Sequence, residues 1–171
     1  MSISENIAAI RQQIDQAARR SGRTGQEITL VGASKMNDAA ACREAIAAGI
    51  DVLAENAYDG APLHFIGHLQ RNKVKQVVGK AALIQSVSSL ALLDEIEKVA
   101  DKLGIVQDIL LEVNIGGEEA KSGFAPQELE DAARYAQKLG HVRVLGLMTI
   151  PPVENEPRGN LPFFEKMRAL Y

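Results

Sequence analysis

Apolar residues at the start of the chain recur every three or four positions, as at Ile3, Ile7 and Ile10. This spacing places them on one face of an α-helix and predicts that an amphipathic helix opens the fold. Ser4 is placed as an N-cap, and Gly22 follows two arginines as a signal that ends the helix. We therefore expect the first helix to lie between these two residues.

The rest of the chain alternates short apolar runs with segments of helical period. We predict strands at ITLVGA, DVLAEN, LHFIGHL, LIQSV, DILLEVN and VRVLGLMTI. We predict helices at NDAAACREAIAAG, residues 71–78, SLALLDEIEKVADKLG, APQELEDAARYAQKLG and LPFFEKMRALY. The first of these helices is expected to be capped by Asn37 and ended by Gly49. Strands that alternate with helices form a parallel sheet, and continuous apolar runs are typical of strands covered on both faces.

Two features of this pattern depart from a complete barrel of eight strand–helix units. Such a barrel takes about 250 residues, whereas six strands are recognisable here and the chain stops within its last predicted helix. In addition, only AYDGAP separates Asn56 from Leu63, although parallel strands need a crossover of about a dozen residues. We infer that a crossover helix is lacking near residues 56–60. Antiparallel pairing of these two strands is the alternative.

The composition is that of an ordinary globular domain, with 46% apolar and 24% charged residues, so a packed core is expected. The 19 lysines and arginines are scattered and the net charge is only -3, which argues against nucleic acid as a partner. The single cysteine, Cys42, excludes an internal disulfide and favours a reducing compartment. A polar N-terminus and the lack of a long apolar segment predict a cytoplasmic protein with no membrane partner.

Polar side chains gather where the predicted strands end. They are Lys35, Asn56, His68, Asn114 and Thr149. In parallel α/β folds this edge is where sites are built. Lys35 follows the apolar run VGAS, and a lysine whose stem is desolvated can attack a carbonyl group. A solvated surface lysine is the plainer interpretation, and the residues alone leave both open.

Two further segments carry candidate chemistry beside a structural interpretation. His64 and His68 lie four apart in LHFIGHL, where a strand would turn both to one side. Zinc would need more ligands, so we expect hydrogen-bonding or structural roles for them. The loop EVNIGGEEAKSGF contains Lys121 and could cradle an anion, but it matches no phosphate-loop motif. Glu118 and Glu119 oppose a strong grip on phosphate.

Several segments resemble, in order, the signature sequences of one family. They are LVGASKMNDAAACREAIAAG, AEN, HFIGHLQRNK, VNIGGEEAKSGF and GLMTIPP, and they are similar to those of the pyridoxal 5'-phosphate homeostasis proteins, the YggS/PROSC family. The resemblance runs from the first helix to the last residue. It implies an α/β fold of the TIM-type (β/α)8 barrel with a leading N-terminal helix, similar to the N-terminal barrel of alanine racemase.

The resemblance also implies a cofactor and its site. Pyridoxal 5'-phosphate (PLP) would be held as a Schiff base on Lys35, the lysine of the SKM motif, with Asn56 and Met148 near the cofactor. No catalytic residue and no metal ligand are implied. Family members are regarded as PLP-binding regulators of vitamin B6 and amino-acid balance without an established reaction. We expect a cytoplasmic monomer of this kind, with apo forms of PLP-dependent enzymes as candidate recipients of PLP.

Two rival functions would use the same lysine. A PLP-dependent amino-acid racemase or decarboxylase of the alanine racemase type would need acid–base groups on both faces of the bound substrate, and Lys35 supplies one. The sequence assigns no second group, so we expect a carrier or regulator rather than an enzyme. A Schiff-base aldolase that uses Lys35 without PLP is the other rival.

The chain departs from the family pattern in two places. After AEN, a helix with a Val-Gln-Glu segment is lacking, at the position where the crossover is too short. Beyond residue 171, two further strand–helix units would carry the segments that hold the phosphate of PLP, and phosphate is a main point of grip on such a cofactor. We therefore expect a single barrel domain over residues 1–171, a longer natural polypeptide, and weak PLP binding by the residues present.

Overall fold

The computed structural model describes residues 2–35, 37–54, 62–154, 156 and 158–171. They form two compact units, residues 1–64 and residues 65–171. The helices are α1 (Ile3–Arg20), α2 (Ala39–Ala47), α3 (Val74–Val77), α4 (Leu90–Leu103), α5 (Leu129–Ala136) and α6 (Leu161–Leu170). The strands are β1 (Val31–Ala33), β2 (Val52–Ala54), β3 (Leu63–Phe65), β4 (Leu83–Val87), β5 (Gln107–Glu112) and β6 (Val142–Met148). The predicted alternation of strands and helices is confirmed.

Helix α1 begins two residues earlier than the sequence predicts. The N-cap is Ser2, not Ser4, because Ser2 and Glu5 form a reciprocal capping box. The backbone N–H of Glu5 donates to Ser2 Oγ at 3.2 Å, and the Ser2 N–H donates to Glu5 Oε2 at 2.8 Å. Ser4 has no glutamate or glutamine three residues later and lies inside the first turn. The predicted stop is confirmed, since Gly22 follows the helix with a φ of 73°.

The cap of α2 is also displaced by one residue. Asp38, not Asn37, accepts a hydrogen bond from the N–H of Ala41 at 2.8 Å. Asn37 instead belongs to the preceding turn, where its own N–H donates to the carbonyl of Ser34 at 3.1 Å. Gly49 follows the helix with a φ of 105°, as the sequence predicts.

In the first unit, β1 pairs with β2 and β2 pairs with β3, both in parallel. The register places Leu53 opposite Leu63, so the antiparallel alternative for these two strands is wrong. The residues that connect them, 55–61, lie outside the described part of the chain. The inferred lack of a crossover helix at residues 56–60 therefore stays a prediction.

Arg11 of α1 is hydrogen-bonded to the chain that leads into β2, and through Asp51 it is linked to the chain that leads into β1. Arg11 Nη2 donates to Asp51 Oδ2 at 2.5 Å and to the carbonyl of Gly49 at 2.7 Å. The same Asp51 oxygen accepts from the N–H of Leu30 at 2.6 Å. These hydrogen bonds, from Arg11 first, hold the pKa of the Asp51 carboxyl below its usual value. The leading helix is thus attached by a charge-assisted network as well as by its apolar face.

In the second unit, β4, β5 and β6 are parallel and adjacent in chain order. Their apolar side chains form one core with α4 and α5, in which Ile84, Leu93, Ile96 and Ile109 have no exposed surface. The alternation along β5 leaves Asp108 and Leu110 half-buried on the opposite face of the strand. Burial of each such large apolar side chain contributes about 1.5–3 kcal/mol to the free energy of folding. This contribution explains why the sequences of these strands are continuous apolar runs.

Strand β3 is shorter than the pattern LHFIGHL predicts. It ends at Phe65, and the chain bends at Gly67, whose carbonyl accepts a hydrogen bond from Ser86 Oγ at 2.5 Å. The expectation that His64 and His68 lie on one strand and face one side is therefore wrong. The hydrogen bond from buried Ser86 holds the chain at Gly67, just before His68.

The turn from α5 into β6 is tied to α4 by one carboxylate. Glu97 accepts hydrogen bonds from the N–H groups of Gly140 at 3.0 Å and His141 at 2.7 Å, and its Oε1 lies 3.1 Å from His141 Nδ1. Burial works to raise the pKa of Glu97, but the hydrogen bonds from His141 and Gly140 outweigh it and lower that pKa. The ionised form of Glu97 therefore favours the folded state, and this contribution is lost as the pH falls through the lowered pKa.

A buried glutamine provides a test of how the second unit is held together. Gln107 is 3% exposed, its Oε1 accepts from the N–H of Gly79 at 3.0 Å, and its Nε2 donates to the carbonyl of Ala81 at 3.0 Å. We predict that Gln107→Leu lowers the free energy of unfolding by about 1–3 kcal/mol, because both backbone groups lose their buried partner. Urea denaturation measures this loss.

The matched control is Gln137→Leu, because Gln137 is exposed at the end of α5. It should change the free energy of unfolding by less than about 0.5 kcal/mol. Equal effects of the two substitutions would contradict the structural role of Gln107.

Candidate functional site

Lys35 lies in a turn that is anchored to the end of β2. The preceding Ser34 is buried, and both its N–H and its Oγ donate to the carbonyl of Ala54, at 3.0 and 2.6 Å. Asn37 closes the turn, since its Nδ2 donates to the carbonyl of Lys35 at 3.2 Å. The two hydrogen bonds that Ser34 donates to one carbonyl explain why a small hydroxyl residue precedes the lysine. The backbone of Lys35 is therefore fixed at the carboxyl end of β1, as the sequence predicts.

The Lys35 side chain is exposed. Of the two interpretations that the residues leave open, the described part of the structure fits the solvated lysine, without desolvation of its stem. An exposed primary amine on a fixed backbone can nevertheless be approached by a carbonyl compound, which is the first requirement for covalent attachment. The geometry of the first unit thus fits a lysine that receives a ligand from solvent.

In the second unit, the corresponding edge carries a loop that one asparagine organises. Asn114 Nδ2 donates to the carbonyls of Glu118 at 2.8 Å and Lys121 at 3.3 Å, and Asn114 Oδ1 accepts from the N–H of Glu118 at 3.2 Å. The loop returns at Gly123, which has a φ of 120°. A Cβ at this glycine would lie 2.5 Å from the Asn114 backbone nitrogen, so only glycine fits.

Side chains of the same loop reach its neighbours on both sides. Ser122 Oγ lies 2.9 Å from His68 Nδ1, and Lys121 Nζ donates to the carbonyl of Pro151 at 3.1 Å. Lys121 also forms an ion pair with Glu118, in which Nζ lies 2.6 Å from Oε2. The two groups are not oriented as a hydrogen bond requires. The amine of Lys121 is thus engaged with loop and backbone, and the structure gives no support to an anion cradle here.

Glu112, the last residue of β5, is a feature that the sequence analysis did not single out. Its side chain is only 8% exposed, and Oε2 has no hydrogen-bond partner among the described residues. Burial raises the pKa of this carboxyl, and the nearby charge of His68 opposes that rise. The only signal in the sequence is an acid inside the apolar run DILLEVN.

The remaining predicted site residues have separate positions. Met148 is the last residue of β6, half-buried, and its carbonyl accepts from the N–H of Val113 at 2.8 Å. Thr149 follows it, and its Oγ1 donates to the carbonyl of Val113 at 2.7 Å. Asn56 lies outside the described residues. Because Lys35 and Met148 belong to different units, their joint role around a cofactor stays a prediction.

A metal centre and a membrane-spanning helix are two further features that side chains and helices can form. No three His, Cys, Asp or Glu side chains in this part of the chain come together as metal ligands would. In the same residues, no helix has the length and apolar character needed to cross a membrane.

Comparison with known proteins places the chain in a family. The sequence profile described as "Alanine racemase, N-terminal domain" matches residues 2–170. An alanine racemase of Clostridium difficile 630 has the same fold, with a TM-score of 0.68 at 13% identity over 84% of this chain and 43% of that chain. The α/β class and the alanine racemase-like barrel type that the sequence predicts are thus confirmed.

Nearer relatives define the family within this class. The "Pyridoxal phosphate homeostasis protein" of Aquifex aeolicus (strain VF5) is 41% identical over 99% of this chain and 80% of its own length. The structure of PipY from Synechococcus elongatus PCC7942, with PLP bound, matches at a TM-score of 0.79 and 26% identity, over 99% of this chain and 80% of that chain. The chain belongs to the family of pyridoxal phosphate homeostasis proteins.

The glycine that closes the second-unit loop can be tested by substitution. We predict that Gly123→Ala lowers the free energy of unfolding by about 1–3 kcal/mol, because alanine is strained at a positive φ. The contact of the new Cβ with the Asn114 backbone nitrogen should lower that free energy further. Gly117→Ala is the matched control, since Gly117 also has a positive φ of 66° but open space around its Cβ position. Chemical denaturation should show a larger loss for Gly123→Ala, and equal losses would contradict the close approach.

Proposed function

We propose that the protein binds PLP covalently through Nζ of Lys35 and takes part in intracellular vitamin B6 and amino-acid homeostasis. The proposal is supported chiefly by the 41% identity to a pyridoxal phosphate homeostasis protein along almost the whole chain. The related PipY, solved with PLP bound, supports the choice of cofactor. When bound, PLP supplies an electron sink to amino-acid chemistry.

The first unit fits such a ligand at three points. Lys35 is an exposed residue and carries a primary amine, the group that condenses with a carbonyl compound. Ser34 fixes the backbone of that lysine through its two hydrogen bonds to Ala54. The turn leaves Lys35 at the carboxyl end of β1, where ligands of parallel α/β folds bind.

Several finer features belong to the same proposal. Met148 and Asn56 would lie near the cofactor. The protein would act in the cytoplasm as a monomer and pass PLP to apo forms of PLP-dependent enzymes. In this proposal it is a carrier or regulator, with no catalytic residue and no metal.

Covalent labelling tests the attachment site directly. We expect PLP-treated protein to turn yellow and, after borohydride reduction and peptide mapping, to carry the label on Lys35. Lys35→Ala should lose the absorbance and the label at this position. Lys121→Ala is the matched control and should keep both, because the Lys121 amine is held by Glu118 and Pro151. A label on Lys121 in place of Lys35 would overturn the assignment.

The same sample distinguishes a carrier from a racemase or decarboxylase of the alanine racemase type. Racemisation needs proton transfer on both faces of the bound amino acid, and Lys35 supplies one amine on one side. We predict that PLP-loaded protein forms no D-alanine from L-alanine, as followed by chiral chromatography. Sustained formation of D-alanine that disappears in Lys35→Ala would favour the enzyme instead.

A further inference from the structure

A cavity of about 180 Å³ lies in the first unit and is partly open to solvent. Residues from α1, α2, β1 and β2 line it. Its most deeply buried apolar lining residues are Ile7, Cys42 and Leu53, which are 5%, 3% and 2% exposed. The cavity thus extends from the surface into the interior of the unit, so a small molecule can enter it.

Small side chains on α2 leave this space unfilled. Ala41, Cys42 and Ala45 are the residues of this helix that line the cavity, and an alanine side chain ends at its Cβ. On the side of α1, Ile3 and Ile7 lie one helical turn apart and line it with branched apolar side chains. Atoms that border an empty space lack dispersion contacts on one side. An apolar occupant would supply those contacts to all three elements.

The chemistry of the lining selects the kind of occupant. Among the residues that the structure describes, no charged side chain lines the cavity. The two hydrogen-bonding side chains of the lining are directed at the turn of Lys35. Ser34 Oγ donates to the carbonyl of Ala54 at 2.6 Å, and Asn37 Nδ2 donates to the carbonyl of Lys35 at 3.2 Å. A charged ligand would therefore lose its hydration without meeting a charge of opposite sign, whereas an uncharged apolar ligand would lose little.

We propose that this cavity is a binding site for a compact, uncharged apolar molecule of the size of one aromatic ring. An apolar cavity of about 150 Å³ lined by leucine, isoleucine and phenylalanine binds benzene in another protein. The volume here is somewhat larger, at about 180 Å³, and admits a ring that carries a methyl group. The site is formed by side chains other than Lys35, and it does not rest on covalent binding of PLP.

Methyl NMR of the full chain tests the site without any substitution, and toluene is the probe. We expect added toluene to shift the methyl resonances of Ile7 and Leu53, which line the cavity, until the shifts saturate. The methyl resonances of Ile46, exposed on α2, and of Ile109, in the core of the second unit, should stay in place. Benzoate has the same ring with a negative charge and should bind at least about tenfold more weakly.

Two alanines of α2 provide a matched pair of variants. Ala45→Leu places a larger side chain in the cavity and should weaken toluene binding at least about tenfold, because packed interiors leave no room for both groups. Ala47→Leu makes the same change at an exposed position at the end of α2 and should leave toluene binding unchanged. Lys35→Ala should also keep it, so loss of covalent PLP binding and loss of this site are distinguishable.

Four results would overturn the proposal. They are methyl resonances of Ile7 and Leu53 that do not move, shifts of equal size at Ile109, equal affinities for toluene and benzoate, and toluene binding by Ala45→Leu that equals that of the unchanged protein.

Discussion

Parallel pairing of neighbouring strands is the constraint on which the Lys35 site depends. Within each unit it brings all strand ends to one edge, so the residues that follow the strands come together there. That edge is then fixed by hydrogen bonds just beyond the strands, from the N–H and Oγ of Ser34 to Ala54 and from Thr149 Oγ1 to Val113. A side chain that directly follows such a hydrogen bond extends from a backbone that is held in place. Lys35 owes its position to this arrangement.

Elements that combine apolar period with flanking signals were predictable almost to the residue. Helix α4 begins after Ser89 and ends at Gly104 as its sequence indicates, because the cap, the apolar face and the glycine all agree. The predicted caps of α1 and α2 are wrong because two candidates lie within two residues of each other at each helix start. In each helix, the N-cap is the residue whose side-chain oxygen accepts from a backbone N–H of the first turn. Ser2 accepts from Glu5 in α1, and the Asp38 carboxylate accepts from Ala41 in α2.

The histidine prediction failed for a different reason. The local sequence pattern cannot predict a hydrogen bond between distant parts of the chain. The hydrogen bond to the carbonyl of Gly67 comes from Ser86, which is 19 residues away in the sequence. The residues alone left Lys35 open between a surface lysine and a site, and it was predicted as the PLP lysine because the SKM segment resembles that of the family. Glu112 could not be predicted as a buried carboxyl, because one acid in an apolar run carries no information about which of its oxygens will find a donor.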